Sequence, residues 1–191
     1  MDVQTRAKNI ITQPAQEWPR IAGESSTVAS LLQDYAAPLS AIPAICGWIG
    51  GSIIGFGFYR VGLVRGFANA VVAWVFGLVG AWVAAIVIEK LAPTFSSRGD
   101  TAQALKLVVY ASTPVWLAGV LNLVPALGIL TIIAALFALY LFYIGLPVVM
   151  HTPADKVVPY MVVSALIVIV VMVCAGVVTA AISGVGRIGM M

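Results

Sequence analysis

His151 is the chain's one histidine, and it sits in "YLFYIGLPVVMHTPADKVVPY", residues 140–160, just ahead of Asp155 and Lys156. Imidazole, carboxylate and amine are the groups that move protons in enzymes. Catalysis by such a set also needs a third group to orient the base and an activated nucleophile beside it, and the loop supplies neither. Each residue of the stretch has a structural task instead. Gly145 and Pro147 bend or end the helix before the turn, and Pro153 rules out helix immediately ahead of itself. Asp155 is placed to cap the next helix, Lys156 to reach an anionic lipid phosphate, and Pro159 to enter that helix's first turn. The expectation is a turn at a membrane surface rather than an acid–base site.

Other chemical signatures are equally thin. The chain has no HExxH, no GxSxG and no phosphate-cradling P-loop. A lone histidine cannot build a multi-histidine metal site. Cys46 and Cys174 both sit inside apolar runs, where a cysteine acts as a small packing residue. "GVGRIG", Gly184 to Gly189, matches GxGxxG by letters only, because no strand precedes it and no helix follows. The reading is a non-enzymatic protein with no catalytic, cofactor-binding or metal-ligating residues.

The elements that would carry these residues belong to a membrane. Of the 191 residues, 62% are apolar and 9% charged, against about a quarter charged in a soluble domain. The net charge of +3 is too small to suggest a nucleic-acid partner and suits a few bases touching anionic headgroups. A crossing needs about 20 apolar residues. Five stretches qualify, at about 36–59, 66–88, 104–124, 127–150 and 160–183. Backbone groups must pair internally in lipid, so each should be a helix, even the β-branched run "VVSALIVIVVMV". The expected fold is all-α: a five-span bundle, residues 36–191, behind an interfacial segment, residues 1–35.

Five crossings put the chain ends on opposite sides. Arg6, Lys8, Arg20, Lys90, Arg98, Lys106 and Lys156 fall on the N-terminal side, and Arg60, Arg65 and Arg187 on the other. That bias favours a cytoplasmic N-terminus. The first 35 residues are mixed and polar, with no signal-peptide pattern, so the segment is expected to remain attached. "VQTRAKNII" and "TVASLLQDY" each place apolar residues on one helical face, separated by Pro14 and Pro19. They read as two short helices lying on the headgroups, with Trp18 and Tyr35 as interface anchors.

Small residues recur every fourth position in three spans: Gly47, Gly51 and Gly55; Ala73, Gly77, Ala81 and Ala85; Gly176, Ala180 and Gly184. That spacing lets another helix backbone approach closely. The faces serve internal packing, or else a second copy or another membrane protein. Pro114, central in "YASTPVWLAG", should kink its helix, healed by Ser112, Thr113 or a neighbouring helix. No ionisable side chain lies in the middle of any span, which speaks against a proton- or ion-coupled carrier.

Several stretches, in order, resemble the bacterial branch of the Yip1 family: "QPAQEWPRIAGE", "YAAPLSAIPAI", "ALKLVVYASTPVWLAG" and, most fully, "YLFYIGLPVVMHTPADK". The resemblance implies five spans, a cytoplasmic N-terminus and a C-terminus on the opposite side. Eukaryotic relatives are linked to vesicle traffic, membrane curvature and prenylated Rab GTPases. Their Asp-Leu-aromatic-Gly-Pro and Tyr-Gly-Tyr motifs do not occur here, so GTPase binding is not implied.

The functional expectation is a membrane organiser or accessory subunit of the bacterial inner membrane. Its partners would be membrane lipids, a further copy of itself, or a larger membrane complex. The alternative is a transporter or channel for a small, weakly charged solute.

Overall fold

In the computed structural model the backbone is described for residues 2–55 and 60–182, and the side chains for all of these but 125, 171, 172 and 174–182. Two short helices open the chain, α1 (Val3–Thr12) and α2 (Pro14–Gly23). Pro14 stands at the first position of α2, where a missing N–H costs nothing, and Pro19 is carried inside the helix. The segment is thus broken at Gln13, ahead of Pro14, and not at Pro19. The stretch "TVASLLQDY" is not a separate surface helix either. It is the start of α3, a helical run from Val28 to Ile54 with π-turns at Leu31–Ala36 and Gly50–Ile54. Thr27 starts it with a reciprocal cap: the Ser30 N–H donates to Thr27 Oγ1 and the Thr27 N–H to Ser30 Oγ, both at 3.1 Å.

The remaining helices are α4 (Leu63–Leu91), α5 (Thr101–Ala111), α6 (Thr113–Ala118), α7 (Thr131–Val149) and α8 (Val157–Ile182). Asp100 caps α5 by accepting from the Gln103 N–H at 2.8 Å. Pro114 separates α5 from α6, and the hydroxyls just before it bond back to the preceding turn. The Ser112 hydroxyl donates to the Val108 carbonyl at 2.8 Å, and Thr113 Oγ1 to the Val109 carbonyl at 3.4 Å. 3₁₀ turns at Gly119–Leu123 and Pro125–Leu130 make the tight passage from α6 to α7.

Four helical runs are long and apolar enough to cross a bilayer: Val28–Ile54, Leu63–Phe95, Thr101–Leu123 and Ala126–Val149. The 26-residue α8 is also long enough by its length, and its sequence contains no charge. Every described element is helical, so the architecture is an all-α membrane bundle. Its outer surface is apolar: Phe67, Phe76, Ile133, Leu136, Leu166 and Val170 are all exposed. In water such a surface would drive aggregation, whereas in lipid it is the ordinary condition of a spanning helix.

The dense core lies at the end of the bundle beneath α1 and α2. Ile10, Trp18, Ile21, Leu105, Leu107, Leu141, Leu146 and Met150 are completely or almost completely buried there. This corrects both expected interface anchors. Trp18 is 1% exposed and Tyr35 5%, so neither ring reaches a headgroup. The physical reason is a hole at Gly145: a Cβ there would stand 2.6 Å from two Trp18 ring carbons and 2.8 Å from Leu107 Cδ1. The indole fills the space the missing side chain leaves. Gly145→Ala is therefore expected to destabilise the fold by about 1–3 kcal/mol through overpacking. Gly77→Ala, where a Cβ meets nothing within 4 Å, should melt at or above the parent temperature. Thermal unfolding of both variants in the same detergent makes the comparison.

Candidate functional site: a buried ion-pair latch

Chain order puts Arg6 on α1, Glu17 on α2 and Glu24 just after it, and the helical hairpin folds them together. Arg6 Nη1 lies 2.5 Å from Glu17 Oε1, and Arg6 Nη2 donates to Glu24 Oε1. The side chains of Arg6 and Glu17 are 4% and 1% exposed, so the pair is cut off from solvent. Arg20 approaches Glu17 Oε2 at 3.4 Å from an exposed position. Burial works against the Arg6 charge. The hydrogen bond and charge of Glu24, with Tyr110 and Glu17, more than offset it, so its pKa lies above the ordinary arginine value.

The latch closes onto the spanning helices. The Arg6 guanidinium carbon stands 5.8 Å over the Tyr110 ring of α5. Lys106, 2% exposed on the same helix, donates to the Glu24 main-chain carbonyl. Gln103 Nε2 donates to the Ala22 carbonyl at 3.4 Å. Tyr35 packs on Tyr110 with ring centroids 4.5 Å apart, and its hydroxyl lies 2.8 Å from Thr113 Oγ1 at the kink. Trp18 meets Tyr110 edge to face at 6.5 Å. Tyr110 is thus the common floor beneath Arg6, Trp18 and Tyr35.

A second clasp joins the loops at the same end. Ser97 Oγ donates to Thr152 Oγ1 at 2.8 Å, and the Arg98 N–H donates to the Met150 carbonyl at 2.8 Å. Phe95 stacks on Tyr160 with centroids 4.7 Å apart, and the Tyr160 hydroxyl donates to the Ile88 carbonyl. Here the histidine turn finds its place. His151 is exposed with φ 53°, a left-handed residue that reverses the chain after α7. Lys156 Nζ donates to Ser96 Oγ at 2.8 Å. Asp155 is exposed within a 3₁₀ turn, Ala154–Lys156, that makes no side-chain cap. Pro153 precedes that turn, and Pro147 is carried inside α7. No hydrogen bond joins His151 to Asp155 or Lys156 among the described residues, and no three metal-binding side chains cluster there.

The small-residue faces divide. Ala81 and Ala85 are buried inside the bundle, while Ala73 and Gly77 remain exposed on α4. Gly47, Gly51 and Ala73 line a gap of about 290 Å³ between α3 and α4. Gly55 takes φ 78° at the end of α3 and so leaves the helical row. Gly176 and Ala180 fall on α8 where side chains are not described, and Gly184 lies outside the described residues. The closest glycine contacts occur at positions the fourfold spacing does not mark. A Cβ on Gly50 would run into the Asn122 carbonyl, and one on Gly119 would stand 2.5 Å from Pro43 Cβ. The latch residues Arg6, Glu17, Glu24 and Lys106 were equally unmarked as a group. One available signal was Arg6 four residues before Ile10, a charge sharing the apolar face of α1.

A bundle of this kind, apolar outside and latched at one end by its own N-terminal hairpin, defines a polytopic helical membrane protein. A match to the Yip1 domain spans residues 8–176, and the chain belongs to the Yip1 family. It is similar to Inner membrane protein YohC of Escherichia coli K12 and of E. coli O6:H1 strain CFT073. Identity to each is 27% over 146 residues, covering 72% of this chain and 75% of theirs. No solved structure matches.

Arg6→Ala would leave Glu17 buried with only the exposed Arg20 nearby. Breaking a buried pair from one side costs about 3–5 kcal/mol, whereas replacing both partners with apolar groups costs far less. Arg6→Ala should therefore lower the melting temperature more than the pair Arg6→Met with Glu17→Leu. Trypsin cleavage at Arg20 should accelerate in the same order.

Proposed function

We propose that the protein is a non-enzymatic organiser or accessory subunit of the bacterial inner membrane, acting through its outer helix faces on lipid or on a membrane-protein partner. One observation carries this reading. Gly77 is exposed on α4 with open space where a Cβ would stand, and Val72, Phe76 and Val79 are exposed around it. Lipid tails give helices no net drive to associate, so a partner helix must gain by close backbone approach, and a small residue flanked by large ones permits that. The charged groups of the latch support the reading from the other side, because they are taken up in holding the hairpin. The inner-membrane location is supported by the relatives named above.

The test is extraction in mild detergent followed by mass measurement. The parent should run as a particle larger than one chain with its bound lipid belt, or with a reproducible partner. Gly77→Leu, which fills an exposed site, should reduce the particle to a monomer without lowering its melting temperature. A strictly monomeric parent with neither partner nor lipid preference would overturn the proposal.

The same reading places the latched end in the cytoplasm. Arg6, Lys8, Arg20, Lys90, Arg98, Lys106 and Lys156 flank this end of the bundle, and Arg60 and Arg65 the other. Fluorescent-protein and alkaline-phosphatase fusions check it. The N-terminal fusion should fluoresce and the C-terminal phosphatase should be active. Both ends reporting the same compartment would be the contrary result.

A further inference from the structure

Between α4, α5, α7 and α8 lies a cavity of about 300 Å³, at the lower end of ligand-site volumes. Its walls include Ala84, Val108, Phe142 and Val168, with Leu139 and Ile169 half-exposed at the rim. The opening therefore faces lipid. Its lining includes Ile88, whose carbonyl accepts from the Tyr160 hydroxyl, and Met161. Two hydroxyls line it. Ser112 is occupied, donating to Val108. Ser164 is not: the residue is 3% exposed, and its Oγ has no hydrogen-bond partner.

A buried hydroxyl without a partner carries its full desolvation penalty, and in hydrocarbon no water relieves it. An apolar chamber open to lipid with one unspent donor is complementary to a hydrocarbon molecule bearing one acceptor. Ser164 lies about 10 Å along α8 from Val157, at 1.5 Å per residue. Tyr160, one helical turn before Ser164 and hydrogen-bonded to the Ile88 carbonyl, lies between it and Lys156 along the chain. An acceptor at that depth belongs to a molecule with no charged headgroup to hold it at the surface.

We propose that this cavity binds a neutral, membrane-dissolved lipid whose carbonyl oxygen accepts a hydrogen bond from Ser164 Oγ. The site is independent of the α4 outer face and stands or falls without it.

The experiment titrates the full-length, detergent-purified protein with decylubiquinone and with dioleoylglycerol, reading the melting temperature. Dioleoylphosphatidylglycerol is the charged counterpart. At least one neutral lipid should stabilise the protein saturably. Ser164→Ala should weaken that binding by about threefold to tenfold, the share of a single hydrogen bond. Its ligand-free melting temperature should be unchanged or higher, because the orphan hydroxyl is gone. Ala138→Phe, which fills the cavity, should abolish the response. Should Ala138→Phe fail to fold, Ala84→Val narrows the same wall and carries that arm. Absence of saturable stabilisation by either neutral lipid, equal stabilisation in Ser164→Ala, or a response to the phospholipid alone would each overturn the proposal.

Discussion

A carbonyl or amide that loses its helical partner inside a bilayer has no water to turn to, and each interruption of a spanning helix must bring its own replacement. The bundle can be understood from that requirement. Before Pro114 the Thr113 and Ser112 hydroxyls back-bond to the Val109 and Val108 carbonyls of the preceding turn, the second of which also accepts the Ser112 N–H. At the end of α3 the Gly55 N–H returns to the Gly50 carbonyl, and the Val61 N–H reaches the Gly51 carbonyl. Indoles serve too. Trp48 Nε1 donates to the Leu63 carbonyl, and Trp74 Nε1 to the Ala37 carbonyl. Several polar side chains within the spans donate to main-chain carbonyls.

The latch meets the same requirement for charge. An ionised group inside low-dielectric surroundings is tolerable only when paired and hydrogen-bonded. Arg6 and Glu17 are buried because α1 and α2 fold as a hairpin that brings the partners together. Lys106, close to the start of its span, is held by a hydrogen bond rather than an ion pair. Its ammonium donates to a main-chain carbonyl of the segment that ends α2. The N-terminal segment is thus a lid whose inner surface completes the polar requirements of α5, and it needs the bundle as much as the bundle needs it.

This reciprocity explains what the sequence discloses and what it conceals. Long apolar runs announce the spanning helices, since length and hydropathy are local properties. The break at Pro114 is legible because the proline itself causes it. Trp18 is not legible in the same way. A tryptophan on a short amphipathic helix beside a membrane looks like an interface anchor, and only Gly145, far along the chain, provides the hole that takes it inside. Large-into-small pairing is tertiary and leaves no periodic trace. Gly50 and Gly51 are adjacent, yet the fourfold spacing selects Gly51 while the Asn122 backbone presses on Gly50. Helix phase predicts which residues share a face. It does not say which neighbour arrives there.

The two ends of the molecule consequently differ in kind. At the latched end, large side chains interlock, ion pairs are buried, and two loops are clasped through Ser97 and Thr152. Deeper into the spans the helices part around chambers lined by small residues, one between α3 and α4 and one beside α8. Small residues there cost a soluble protein its core. In a bilayer they cost much less, because lipid or a neighbouring helix can enter the space that water would otherwise penalise.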